Sequence, residues 1–567
     1  MNGQEVAAQD DRQPRTRPVG RLVLGGPRTP ERALLGAAQI GVPGTERLVD
    51  LDDLLAKDER LNLTAVAWRA ARTWYSGQSP ELAALGWLGE YRVAQHVLGV
   101  LRVVASVRKI ELDHAACRWV IPPAAGPLLR LAMRLCGFEV AAGGSDSNEG
   151  GGVGRSRWLV KALARPWRLP DEWLVLPGGG VNELLLRPGR GRLPVAFLRQ
   201  RVPPRRVQAA LAFRYSIVGQ PNIGRDLSGS LKEVVGGHLL PDALLPVTLE
   251  DLASAIAVRA LEASLGELVT ALHAAWAALR WCESGGAGLL TPDDAIPLTR
   301  AVVGVAALSG RPAVVAQHGA IIARDDQSHH VAGSSLTWGE PFLRVLETEM
   351  GERHRPWVMG FPGRMPIRHR DPNRDVVLFV GSGGHDITLA TRQRHQVDLL
   401  NALARGLESL GRPVELVIRP HYADDERLHV DSRMESVRVR VARVGALSDA
   451  LRGVAVMVTS VSTAIVEAAL SGVPVVACPE NMTDLVAGMR GTPGVYWAAS
   501  GSDAAGAVCR VLRGAPLEAA CVEGAPVYAV EFVGWPRLRE HLLELSPEPS
   551  DAHAVPHSRI LAQLMGA

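Results

Sequence analysis

The chain has 567 residues, 47% of them hydrophobic and 21% charged, with a formal net charge of +3. That length predicts two or three domains with sizeable cores, and a charge so near balance excludes nucleic acid as the main partner. Six scattered cysteines without a C-x-x-C pair argue against a zinc site or a disulfide framework and fit a reducing cytosol.

Residues 1–20 are polar, lack an apolar signal core and read as a disordered tail. A strand is predicted at 21–25, a helical pattern through 90–109, a strand at 119–121 and a helix at 128–135. Residues 143–157, rich in Gly, Ser, Asp and Asn, read as a flexible loop. The next stretch, 158–240, carries several tryptophans, the turn Pro177-Gly178-Gly179-Gly180, and arginines at 187, 190, 192, 199, 201, 205 and 206. It reads as a basic insertion, serving either an anionic acceptor or membrane surface, or simply as a solvated face.

From Thr248 the pattern sharpens. Thr248 and Asp251 have capping-box spacing before a long helix expected over 252–279. Arg259, Glu262 and Glu267 interrupt that helix, so it cannot span a membrane and any membrane contact is peripheral. A strand at 288–290, a helix at 295–308 and a strand at 313–316 follow. After a Pro-, Gly-, Arg- and His-rich connector at 357–373, the alternation resumes with strands at 376–380, 414–418, 456–459 and 473–477 and a helix at 393–410. The fold class is therefore α/β, with two Rossmann-like αβα lobes whose strand ends face a central cleft. The domain expectation is an N-terminal acceptor lobe at 21–356, a C-terminal nucleotide-donor lobe at 374–520, and a segment 521–567 that packs back on the first lobe.

Three motifs sit just after predicted strands. Gln317-His318-Gly319 offers a histidine suited to proton transfer near neutral pH, or a structural histidine in a turn. Arg419-Pro420-His421 offers hydrogen-bond donors to phosphate oxygens, or an exposed basic turn. Ser460-Val461-Ser462-Thr463 opens a helix that Gly472 ends. Its hydroxyls suit either a phosphate or local helix capping. Glu467 lies about one turn, ~5.4 Å, beyond Thr463 on the same helix face. Gly381-Ser382-Gly383-Gly384 could bring amides to a pyrophosphate but lacks the last glycine of a dinucleotide fingerprint.

The order of these motifs resembles the GT-B glycosyltransferases, in the branch of CDP-glycerol glycerophosphotransferases, bacterial sialyl- and polysialyltransferases and capsule polysaccharide glycosyltransferases. In that branch a His-Gly motif closes a strand of the first lobe, and His-Pro and Ser/Thr-rich motifs hold the donor's phosphates. Here Pro420 precedes His421, reversing the family order, and Asp325-Asp326-Gln327 lacks the family's acidic-acidic-Gly motif. The resemblance implies His318 as base and Arg419, His421, Ser460, Ser462 and Thr463 as phosphate ligands. Gly381, Ser382 and Gly383 would lie near the pyrophosphate, Glu467 on the ribose, and Glu340 in either a catalytic role or a structural salt bridge.

The activity so implied is metal-independent transfer of a sugar or polyol-phosphate from a CMP-, CDP- or UDP-linked donor to a hydroxyl acceptor. The acceptor would be a saccharide, a polyol or a lipid-linked molecule, and no cofactor is expected beyond the activated donor. A cytoplasmic place in surface-polysaccharide synthesis fits, with or without peripheral contact at the inner face of the membrane. The alternatives are a UDP-sugar 2-epimerase of the same fold and a catalytically silent binding protein.

Overall fold

The computed structural model describes residues 19–24, 38–41, 48–50, 54–113, 118–120, 126–141, 171–190, 192–198, 204, 206–207, 211, 215–218, 227–236, 248–317, 331–350, 354–363, 375–381, 393–421, 428, 430, 434–442, 447–460, 462–479, 494–515, 530–545 and 554–565. Among these residues the chain forms three sheets. The first comprises β1 (Val19–Leu24), β2 (Ala38–Gly41), β3 (Leu48–Asp50), β4 (Arg118–Val120) and β5 (Glu139–Ala141), accompanied by α1 (Lys57–Thr73), α2 (Pro80–Asp113) and α3 (Gly126–Leu135). Its order is β3-β2-β1-β4-β5, with β2 antiparallel to both neighbours and the other pairs parallel.

The second sheet contains β6 (Trp173–Val175), β7 (Val195–Leu198), β8 (Tyr215–Val218), β9 (Gly288–Thr291), β10 (Ala313–Ala316), β11 (Ser334–Thr337) and β12 (Arg355–Val358). Its helices are α4 (Gly179–Leu186), α5 (Leu227–Gly236), α6 (Leu249–Ala263), α7 (Leu265–Glu283), α8 (Pro297–Leu308) and α9 (Glu340–Met350). The third sheet contains β13 (Val376–Val380), β14 (Val414–Arg419), β15 (Val437–Val441), β16 (Val456–Thr459), β17 (Val475–Ala477) and β18 (Val495–Trp497). It carries α10 (Gln393–Glu408), α11 (Leu447–Ala450), α12 (Ala464–Leu470) and α13 (Gly501–Leu512). Two further helices, α14 (Trp535–Glu544) and α15 (Ala554–Met565), close the chain.

The second and third sheets are parallel throughout, in the orders β12-β11-β10-β9-β6-β7-β8 and β15-β14-β13-β16-β17-β18. Counted within each sheet, both follow the Rossmann order 3-2-1-4-5-6, the former with one strand more. The two-lobed α/β expectation therefore holds. Two details differ from the sequence reading. Residues 19–141 build a sheet of their own inside the expected 21–356 lobe, and Val19 and Gly20, expected in the tail, begin β1.

The second difference concerns 158–240, expected as an insertion. Its described residues instead supply β6, β7 and β8, the first three strands of the second sheet. Three- and four-residue strands between Gly-, Pro- and Arg-rich turns carry too little periodicity to stand out. Residues 143–157 lie outside the described residues. The long helix expected over 252–279 divides at Ser264, whose hydroxyl donates back to the Ala260 carbonyl at 3.1 Å. The capping box ahead of it forms as the spacing predicts: the Asp251 amide donates to Thr248 Oγ1 at 3.1 Å, and the Thr248 amide to Asp251 Oδ2 at 3.1 Å.

Strand alternation distributes the core. Leu174, Ala196, Leu289 and Val315 point toward one cluster with α2, α6, α7 and α8. Trp173, Val175, Phe197, Val314 and Ala316 point to the opposite face, as do Leu378, Val417 and Met457 of the third sheet. These inward faces of the two lobes belong to one continuous apolar cluster, so the lobes are packed rather than tethered. Val377, Phe379, Leu416 and Val458 turn outward under α10 and α13.

A buried ionic group joins the N-terminal helices to the first Rossmann lobe. Glu90 of α2, 3% exposed, takes Arg300 of α8 at 3.1 Å and Arg72 of α1 at 3.1 Å. Arg300 also lies 4.9 Å from the Trp87 ring, and Trp87 stacks on His557 of α15 at 5.5 Å. The chain's last helix thus seats on the first lobe.

Residues 530–533 run beside the exit from that lobe. The Phe361 amide donates to the Val530 carbonyl at 2.8 Å, and the Val533 amide to the Met359 carbonyl at 3.0 Å. Gly360 permits this approach: its φ is +79°, and an added Cβ would stand 2.3 Å from the Glu531 carbonyl oxygen. Gly360→Ala is expected to cost about 1–3 kcal/mol in a urea melt. A wild-type midpoint in that variant would show that the crossing tolerates a side chain.

Candidate active site

In doubly wound sheets a ligand crevice forms where strand order reverses, beyond the strands' carboxyl ends. In the C-terminal lobe that point lies between β13 and β16, and in the first lobe between β6 and β9. The motifs cluster at both edges.

On the C-terminal lobe, Val380 is in register with Arg419 on one side and Thr459 on the other. Thr459 is in turn opposite Ala477, and Ala477 opposite Trp497. Val417 and Met457 lie two residues earlier on their strands and point into the cluster containing Ala464, Ile465 and Ala468 of α12. Arg419 and Thr459 therefore share the face that α12 covers. Thr459 is wholly buried, and its Oγ1 has no hydrogen-bond partner among the described residues. The Gly381 amide is held by the Arg419 carbonyl at 2.9 Å, which fixes the start of the Gly-rich segment. His421 is half-buried just beyond Pro420.

The hydroxyl-rich turn divides its labour. Ser460 is fully buried at the end of β16. Ser462 Oγ accepts from the Ala464 amide at 3.2 Å, so this serine does local capping work. Thr463 has helical dihedrals and makes no side-chain cap bond. With seven residues, α12 is shorter than the sequence pattern implies, and Gly472 stops it at φ +69°. So brief a helix has little macrodipole to offer, and any anion here must be held mainly by side chains and local amides.

Glu467 is half-buried on α12, and its carboxyl is pushed up to about 7. Burial is the largest cause, the charge of Glu183 adds to it, and Arg419 opposes both. Glu183 belongs to the other lobe. It sits on α4, directly after β6 and the turn Pro177–Gly180, and its carboxylate meets Arg206 at 3.4 Å. The apolar side chains beneath the two switch points, Val175 and Val181 in the first lobe and Met457 and Ala464 in the second, belong to one cluster. Sequence reasoning passed over Glu183, although an apolar run, a triple-glycine turn and a helix start were all visible there.

The remaining first-lobe candidates separate. Gln317 is 4% exposed; its amide donates to the Leu336 carbonyl at 2.9 Å, and its Oε1 accepts from the Trp338 amide at 2.7 Å. It thus ties the end of β10 to β11. His318, like Ser382 and Gly383, lies outside the described residues. Glu340 opens α9 on the surface and pairs with Arg344 one turn on at 3.5 Å. Two arginines of the basic stretch are engaged as well: Arg187 donates to the carbonyls of Phe361, Pro362 and Gly363, and Arg192 to the Arg187 carbonyl.

No family model and no curated protein matches this sequence. Solved structures do align with it. Anabaena Alr3699/HepE in complex with UDP and glucose is 13% identical, with a TM-score of 0.38, over 66% of this chain and 100% of that one. UDP-GlcNAc 2-epimerase from Methanocaldococcus jannaschii is 10% identical at a TM-score of 0.40, over 65% and 98%. Arabidopsis thaliana UGT89C1 complexed with UDP-L-rhamnose is 16% identical at 0.36, over 70% and 98%. At such scores the likeness carries no weight for this chain's chemistry, and its fold is read from its own strand orders. Among the described residues no group of three or more His, Cys, Asp or Glu is placed to hold a metal ion. No described helix is long and apolar enough to cross a membrane.

Proposed function

We propose that this protein is a glycosyltransferase-type enzyme that takes a sugar or polyol-phosphate from a nucleotide-activated donor and passes it to a hydroxyl acceptor, without a metal ion. The supporting observation is the grouping of Arg419, Thr459, Ser460 and Glu467 at the switch point of the C-terminal sheet, facing the first lobe. Arg419 would neutralise charge growing on the departing phosphate, with His421, Thr463 and the amides after Gly381 beside it. Glu467 would accept the ribose hydroxyls. His318, which follows β10 in the sequence, would take the acceptor's proton. A cytoplasmic enzyme of surface-glycoconjugate synthesis fits this chemistry, acting on a saccharide, polyol or lipid-linked acceptor.

Calorimetric titration with CMP, CDP, UDP and GDP tests the reading. Saturable binding of at least one is expected, and failure of all four would overturn it. Conversion of a UDP-sugar with no acceptor present would instead identify a 2-epimerase.

A further inference from the structure

The outermost strand of the C-terminal sheet carries a surface that the transfer scheme above does not use. Among the described residues β15 pairs with β14 alone, which leaves its other side as an edge. Two bonds fix which peptide groups face that edge. The Val414 amide donates to the Ser436 carbonyl at 3.0 Å, and the Ala442 amide to the Ile418 carbonyl at 2.8 Å. Even-numbered residues therefore turn their peptide groups toward β14, and the N–H and C=O of Val439 and Val441 turn outward. Such a row is a template for another strand. Glu408 of α10 anchors the start of β15, accepting from the Glu435 amide at 3.0 Å and from Ser436 Oγ at 2.9 Å, so the template sits on a fixed backbone.

The side chains make the edge two-faced. Val439 and Val441 are in register with Leu416 and Ile418, which lie buried in the layer under α10 and α13, yet they are 40% and 47% exposed. They carry that apolar layer past its cover and are two of the four exposed large apolar side chains among the described residues. Arg438 and Arg440 project from the opposite face. Arg440 pairs with Glu415 at 2.9 Å, whereas Arg438 has no ion-pair partner among the described residues. The complement of this edge is an extended segment that alternates apolar and acidic residues, its apolar side chains beside the valines and its carboxylates beside Arg438. Charges on an edge deter chance pairing, and these deter partners that bring no negative charge. A second copy of this chain fits poorly, because antiparallel registers centred on Val439 or Arg440 set arginine opposite arginine.

We propose that β15 is a docking edge for a partner protein, which adds an extended segment of alternating acidic and apolar residues to the C-terminal sheet. The outward peptide groups of Val439 and Val441 supply the hydrogen bonds. Arg438 and the two valines decide which way round the segment lies and which charge it carries. The proposal does not depend on the nucleotide-donor reading.

The test is fluorescence anisotropy with three short labelled peptides: alternating valine and glutamate, alternating valine and lysine, and the valine–glutamate composition with its glutamates grouped together. Each is titrated with the full chain as wild type, Arg438→Glu and Val439→Pro. Wild type should bind the alternating acidic peptide saturably and the other two about fivefold or more weakly. Arg438→Glu should exchange the preference, so that the lysine peptide binds better than the acidic one. Val439→Pro removes an outward amide and no bond to β14, and should weaken the acidic peptide about tenfold. Arg438→Glu changes only an exposed charge, so it reports even where the proline disturbs the strand. No binding of the alternating acidic peptide by wild type would overturn the proposal, as would an unaltered preference in Arg438→Glu. Equal binding of the grouped peptide would overturn it by showing charge attraction without strand pairing. A concentration-dependent dimer in sedimentation, abolished by Val439→Pro, would overturn it in favour of a second copy.

Discussion

Glu467→Gln is expected to raise the melting temperature at pH 8 while removing most nucleotide affinity. The Glu467 carboxyl is raised from its ordinary 4.5 to about 7. Between those values the folded chain keeps a proton that the unfolded chain releases, so stability falls as pH rises through this window. The full cost is present above pH 7 and absent below about 4.5. A shift of that size corresponds to at most about 3 kcal/mol, and partial exposure brings the expected gain for the glutamine variant to about 1–2 kcal/mol. At pH 5 the two melting temperatures should converge. Binding moves the other way, because only the ionised carboxylate accepts strongly from ribose hydroxyls. Wild-type affinity should therefore climb as pH passes 7, and the variant's should not. An unchanged or lowered melting temperature at pH 8 would show that Glu467 carries no such strain. A carboxylate that destabilises its own fold is the expected mark of a group kept for a ligand.

Glu90→Ala is expected to be the most damaging single change outside the cleft. It would leave Arg300, 4% exposed, and Arg72 without the carboxylate they share. Breaking a buried pair from one side costs about 3–5 kcal/mol, because the remaining charge is stranded. The network ties α1, α2 and α8 together and supports Trp87, on which His557 of the last helix stacks. Urea denaturation should show the loss, and protection of 554–565 in hydrogen exchange should fall with it. The double variant Glu90→Leu, Arg300→Met removes both charges and should recover much of the stability. If Glu90→Ala melts like wild type, the network is not structural.

Much of this architecture was legible because parallel strands buried on both faces read as unbroken apolar runs. Val376–Val380, Ala313–Ala316 and Val456–Thr459 are such runs, each followed by a polar turn. Trp173–Val175 and Val195–Leu198 are equally buried, but they are short and stand among arginines, so the lobe's true beginning was hidden. Those arginines suggested a surface function, yet Arg187 spends its donors on three backbone carbonyls at the lobe's exit. Composition reports charge and not what the charge is bonded to. The N-terminal sheet was hidden for a related reason, since β2 and β3 together hold too few residues to show a period of two.

The candidate site divided along the same line. Arg419, Ser460 and Glu467 could be placed because motif and strand end coincide. Ser462 shows that two readings of a motif can coexist, since its oxygen accepts from the Ala464 amide while its O–H remains available as a donor. Glu340 sits on a helix surface with Arg344, a pairing that sequence spacing allows but cannot rank against catalysis. Glu183 could only emerge from the fold, because its charge acts on Glu467, far away in the chain.

The most direct test of the central claim is a side-by-side titration of wild type and Glu467→Gln with CMP, CDP, UDP and GDP at pH 8. A donor cleft at the edge of the C-terminal sheet requires that wild type bind at least one of the four and that the variant bind it about tenfold or more weakly. Equal affinity in the two proteins, or no binding by wild type, would contradict it.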